Sequence, residues 1–134
     1  MDNFPTWVEI DLDAFKWNLE RIRERVPGVS ILLVVKADAY GHGAIRISRF
    51  AVECGVDMLG VATVDEGVQL RKAGITIPVL VLSPTLENEL EKLIDNDLSA
   101  SVSTVGFAES AAELARKKGK TCRVHIEVDT GMGR

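Results

Sequence analysis

Apolar residues along this chain follow two periods in turn. Residues 29–35, 58–62, 79–82, 98–103 and 121–128 form short apolar or alternating runs, which predict strands. Between these runs, and before the first, apolar residues recur every three to four positions, which predicts amphipathic helices. The first helix carries Phe15, Leu19, Ile22 and Val26 on its apolar stripe and Lys16, Glu20, Arg21, Arg23, Glu24 and Arg25 on its polar face. Asp11 or Asp13 can cap it, and Pro27-Gly28 stops it. Ahead of it, residues 6–11 read as a short strand, because Trp7, Val8 and Ile10 are β-formers. A second helix starts at about Ala44 and carries Ile45, Ile47, Phe50, Ala51 and Val52. Thr63 and Glu66 have capping-box spacing and open a third, through Val68 and Leu70. Thr85 begins the next, with Leu86, Leu90, Leu93 and Ile94 on one face, and Thr104 caps a last one bearing Phe107, Ala111, Leu114 and Ala115. Gly55, Gly74 and Gly119 end three of these helices.

Strand and helix alternate about every 20–25 residues with short connections, the rhythm of right-handed βαβ units and a parallel sheet. That places the chain in the α/β class. An open doubly wound sheet and a barrel both satisfy the pattern. The pattern alone favours the open sheet, since a barrel needs eight strands and about 250 residues, and the chain has 134. The phosphate-binding fingerprints of open sheets, G-x-G-x-x-G and G-x-x-x-x-G-K-[ST], are absent.

Composition narrows the function classes. Hydrophobic residues at 46% and charged residues at 27% are those of a soluble globular chain. A net charge of −4 argues against nucleic acid or an anionic membrane as partner. No apolar run reaches the roughly 18–20 residues of a membrane span. The amino-terminal residues lack the apolar core of a signal peptide, so the cytoplasm is the expected compartment. Cys54 and Cys122 lack metal-type spacing and read as two reduced thiols.

The candidate chemistry begins where the first strand of the βα series ends, in the decamer VVKADAYGHG at residues 34–43. Lys36 stands at the carboxyl end of an apolar strand, where α/β folds place their chemistry. A lysine there serves as a Schiff-base amine, as a point charge for phosphate, or as a solvated strand end. The decamer closely resembles the cofactor-lysine motif of alanine racemases, pyridoxal-phosphate (PLP) enzymes of fold-type III. The resemblance implies that Lys36 binds PLP covalently and that Tyr40 contacts the cofactor phosphate.

The last eight residues, EVDTGMGR at 127–134, resemble the same family, which carries a D-T-G-M-x-R turn after its fifth barrel strand. This implies that Arg134 lies near the cofactor's phenolate oxygen and the substrate carboxylate, a task suited to a planar guanidinium fork. Many family members have a carbamylated lysine two residues before the motif aspartate, and its anionic group holds the arginine. Here Glu127 occupies that position, and a carboxylate is already anionic. Whether Glu127 pairs with Arg134 or faces outward is left even by the sequence. His42, between two glycines, reads as a turn residue with a local hydrogen bond, and His125 as a polar strand residue. Asp38 either bonds a turn amide or modulates Lys36.

The resemblance implies the first five strands and intervening helices of a parallel, TIM-like (β/α) barrel. Residues 1–134 would be the amino-terminal part of a PLP-binding (β/α)8 barrel, without its later strands or the β-domain that follows it in the family. It also implies racemisation of alanine, L to D, supplying D-alanine for peptidoglycan, with an amino acid as small-molecule substrate and a homodimeric parent. In the family a tyrosine from the partner's β-domain is the second base, so the chain alone is expected to be inactive and self-associating. A non-catalytic half-barrel and a PLP-carrier protein of the same superfamily are the alternatives.

Overall fold

The computed structural model describes residues 6–133. Among these, five strands form one parallel sheet: β1 (Leu32–Val34), β2 (Met58–Val61), β3 (Val79–Val81), β4 (Ser99–Val102) and β5 (Val124–Ile126). Their spatial order is their sequence order, β1-β2-β3-β4-β5. This order separates the two architectures the pattern admits. A doubly wound sheet reverses direction at a switch point, whereas a barrel keeps adding each strand beside the last. The winding here is that of a barrel. The register steps across the sheet from Val34 opposite Gly60, through Gly60 opposite Leu80 and Val81 opposite Ala100, to Ser101 opposite His125.

The helices are α1 (Leu12–Arg25), α2 (Lys36–Gly41), α3 (Ala44–Glu53), α4 (Val64–Lys72), α5 (Leu90–Asp95) and α6 (Val105–Lys117). One face of the sheet, with Leu59, Val61, Val79, Val81, Ala100 and Val102, packs against Ile47 and Ala51 of α3, Val64 and Val68 of α4, Leu93 of α5, and Ala111 and Ala115 of α6. The alternate residues Leu32, Val34, Gly60, Leu80 and Ser101 lie on the other face, because neighbours along a strand point to opposite sides. Space on that face is tight at Gly60, where a Cβ would come within 2.8 Å of Leu32 Cδ2 and 3.0 Å of Leu82 Cδ1.

Most helix signals hold. Asp11 caps α1, its side chain accepting from Ala14 N at 2.9 Å. Thr63 and Glu66 form the capping box of α4, and Thr104 caps α6. Three expectations fail. Residues 6–11 are not a strand: they make no ladder, and Trp7 and Val8 are each 79% exposed. β-Propensity measures the fit of a side chain to a pleated, half-buried surface, and no such surface is offered here. Thr85 does not begin a helix. Thr85 is itself buried, and α5 starts only at Leu90, after a 3₁₀ turn at Glu87–Glu89. Leu86 is therefore exposed instead of sharing the apolar face of Leu90, Leu93 and Ile94. On α1 the stripe is buried at Leu19, while Ile22 and Val26 are exposed.

Candidate active site

The lysine turn has the most unusual backbone among the described residues. Val35 is buried in the core, and its ψ of 21° turns the chain out of the strand, so that Lys36 opens α2 directly after β1. Ala37, Asp38, Ala39 and Tyr40 then all adopt left-handed helical geometry, with φ of 49°, 54°, 53° and 56°. None is glycine. Each such residue costs about 1–2 kcal/mol relative to the right-handed form, so four in succession must be held by their surroundings. The holding contacts are specific. Ala39 N donates to Val35 O at 2.9 Å, and Gly43 N to Asp38 O at 2.9 Å. Asp38 Oδ1 accepts from Ala44 N, the first residue of α3, at 2.7 Å. The His42 ring Nδ1 lies 2.8 Å from Ala39 O, and the Ala39 methyl is buried in the core. Asp38 and His42 are thus turn-building residues. Gly41 and Gly43, at φ 84° and 89°, carry the chain out of the turn and into α3.

The turn leaves Lys36 half-buried and Tyr40 60% exposed. Among the described residues neither side chain has an ion-pair or hydrogen-bond partner. A primary amine and a phenolic hydroxyl, four residues apart, are therefore presented uncommitted at the carboxyl end of β1.

A third group, which sequence reasoning read only as a helix cap, belongs to the same place. Glu66 Oε1 accepts from Ala37 N at 2.7 Å, while Oε2 accepts from Ala62 N at 2.7 Å and Thr63 N at 3.3 Å. One carboxylate thus joins the turns that follow β1 and β2. The capping-box spacing gave the Thr63 contact; the reach to Ala37 depends on β1 and β2 being neighbours, which no local pattern encodes.

At the far side of the sheet, the end of β5 brings His125 and Glu127 by parity to the face that carries Ser101, since His125 stands opposite Ser101. Glu127 is half-buried, and its N–H donates to Val102 O at 2.9 Å. The turn beyond is built by Asp129, whose Oδ1 accepts from Gly131 N at 2.9 Å and Gly133 N at 3.1 Å. Those amides hold its carboxyl below the ordinary aspartate range. Arg134 lies outside the described residues. Among the described residues no group of three His, Cys, Asp or Glu side chains could hold a metal ion. Cys54 and Cys122 are free thiols, and burial pushes the Cys122 thiol up.

A parallel sheet wound in barrel order, with helices between its strands, is the architecture of a (β/α) barrel's amino-terminal part. The sequence matches the family model for the alanine racemase N-terminal domain over residues 10–134. The chain belongs to the alanine racemase family. It is 44% identical to an alanine racemase of Methanococcus maripaludis over 135 aligned residues, which are 100% of this chain and 36% of that protein. The structure of an alanine racemase of Clostridium difficile superposes with a TM-score of 0.95 at 38% identity, covering 100% of this chain and 35% of the other. A histidine racemase of Leuconostoc mesenteroides superposes at 0.84 with 30% identity, over 92% of this chain and 33% of that one. The chain spans about a third of the length of these relatives.

Proposed function

We propose that this chain supplies the lysine side of a PLP-dependent active site that interconverts the L and D forms of alanine, as the amino-terminal part of a (β/α)8 barrel. The observation that carries the reading is the placement of Lys36: at the carboxyl end of β1, in a sheet of barrel order, with an amine uncommitted among the described residues and Tyr40 on the same turn. The donor set fits the cofactor. An amine is what an aldehyde group requires, and a phenolic hydroxyl can donate to a phosphate.

Bound PLP supplies the electron sink that makes loss of the substrate's Cα proton feasible. The chain's own residues do the rest. Lys36 Nζ would hold the cofactor until the substrate amine takes its place, and the amine so released would take or return the Cα proton on its own side. Tyr40 Oη would donate to the cofactor phosphate. Arg134 meets the substrate carboxylate, and Glu127, half-buried at the end of β5, holds the guanidinium without needing a carbamate. Alanine as substrate rests on the names of the most similar relatives, while the histidine racemase shows the same architecture bearing another substrate's name. A cytoplasmic homodimer that feeds D-alanine to peptidoglycan is the setting this reading implies.

The test is chemical. Borohydride reduction of the PLP-loaded, full-length protein, followed by peptide mapping, places the pyridoxyl group on Lys36. Recovery of the label on a different lysine overturns the assignment.

A further inference from the structure

We infer that Glu66 is a positioning residue for Lys36: its carboxylate sets the left-handed turn that aims the lysine, in addition to capping α4. The inference rests on the reading of Lys36 as the cofactor lysine. The physical case is one of hydrogen-bond accounting. The amide of Ala37 is the first of the left-handed run and directly follows Lys36. Its acceptor comes from a different βα turn, at 2.7 Å. The same carboxylate is fixed at its other oxygen by the backbone amides of Ala62 and Thr63. Glu66 is therefore anchored on the α4 side and reaches across to β1, so the direction in which the chain leaves β1 is referenced to β2.

The other contacts of the turn are nearly all internal to residues 35–44. Such contacts shape the turn, while the buried Ala39 methyl seats it on the core and Val35 N donates to Gly60 O at 2.8 Å where the chain leaves β1. The Glu66 contact adds a tie at the residue next to Lys36, where it bears on the angle between Lys36 and the strands. Both carboxyl oxygens accept backbone amides, and carboxylate–amide bonds are of the stronger, charge-assisted kind. A glutamine at 66 has one acceptor oxygen and a donor NH₂, so it cannot accept from both sets of amides. An aspartate is shorter by one methylene and cannot span them.

The experiment uses the full-length protein with Glu66→Gln, Glu66→Asp and, as a control, Thr63→Ala, which removes the hydroxyl half of the same capping box. Amide hydrogen exchange of residues 36–43 in the PLP-free form is the first measurement. The kcat, and the wavelength and pH midpoint of the visible band after loading with PLP, are the second. Both Glu66 variants are expected to speed exchange of these amides about tenfold or more, to lower kcat about 10–100-fold, the range of a lost hydrogen bond to a charged group, and to move the band. Thr63→Ala is expected to leave the turn's exchange and the band unchanged. If Glu66→Gln does not fold, Glu66→Asp decides alone. Unchanged exchange in a folded Glu66 variant, or an equal effect from Thr63→Ala, overturns the inference. Accelerated exchange in a protein that carries its PLP on another lysine would leave the turn mechanics standing and overturn the cofactor reading instead.

Discussion

At the scale of single residues, the site consists of side chains left uncommitted and side chains spent on holding them. Lys36 and Tyr40 belong to the first group; Asp38, His42 and Glu66 belong to the second. Tyr40 is the sharper test, because a 60% exposed tyrosine contributes little to the fold. In the full-length protein, Tyr40→Phe is expected to weaken PLP binding by about 0.5–3 kcal/mol, the range of one hydrogen bond to a charged acceptor, with stability unchanged. A titration of apoenzyme with PLP reads this directly, and equal affinity for both proteins removes Tyr40 from the phosphate site. Glu127 is tested through chemistry that a carbamate would show and a carboxylate would not. Glu127→Gln should lower activity, and added bicarbonate should not restore it. Wild-type turnover in that variant would make Glu127 a bystander to the arginine.

At the scale of elements, the left-handed α2 is the feature on which the site depends. Its strain predicts an inverted response to glycine. Ala37 is exposed and left-handed, so Ala37→Gly relieves about 1–2 kcal/mol of strain against a glycine entropy cost of about 0.5–1 kcal/mol. The result should be neutral or slightly stabilising. Ala112 is equally exposed but lies in right-handed α6, and Ala112→Gly should cost about 0.5–1 kcal/mol. Denaturation midpoints of the two variants provide the comparison, and equal losses would mean that α2 is not left-handed in solution. This turn also marks where the sequence stopped being legible. The five strands, the Thr63–Glu66 capping box, the Thr104 cap and the glycine stops are local signals, readable because each is complete within a few residues. Four consecutive left-handed residues without glycine carry no local signal, since tertiary contacts impose them against propensity. The unpaired segment at 6–11 and the late start of α5 failed for a related reason. Whether β-formers find a partner strand, and whether Thr85 is buried or free to cap, are decided by the fold and not by neighbours in sequence.

At the scale of the molecule, the sheet presents two unlike sides. Helices cover one face from α3 to α6, and His125 and Glu127 line the other by parity. Beyond β4 the cover thins: Ile126 is 79% exposed, and all of β5 is open. A polypeptide of these 134 residues therefore exposes apolar strand surface and a free β5 edge among the described residues, the conditions for edge-to-edge association. Produced as such, it is expected to self-associate and not to racemise alanine. Inversion at Cα requires one group to remove the proton and another, on the opposite side, to return one. In the proposed reading Lys36 serves one side. Tyr40 is the only tyrosine in the chain and is assigned to the phosphate, and the His42 ring already bonds Ala39 O within the turn. An open site also leaves water at the reacting centre, where charges stabilise one another far less than in a closed one. Size-exclusion chromatography and a racemase assay with added PLP, on a sample of confirmed mass, check both halves of this expectation. Turnover well above that of free PLP would mean that a second proton-transfer group lies within these residues, and His42→Ala would then be the first variant to make.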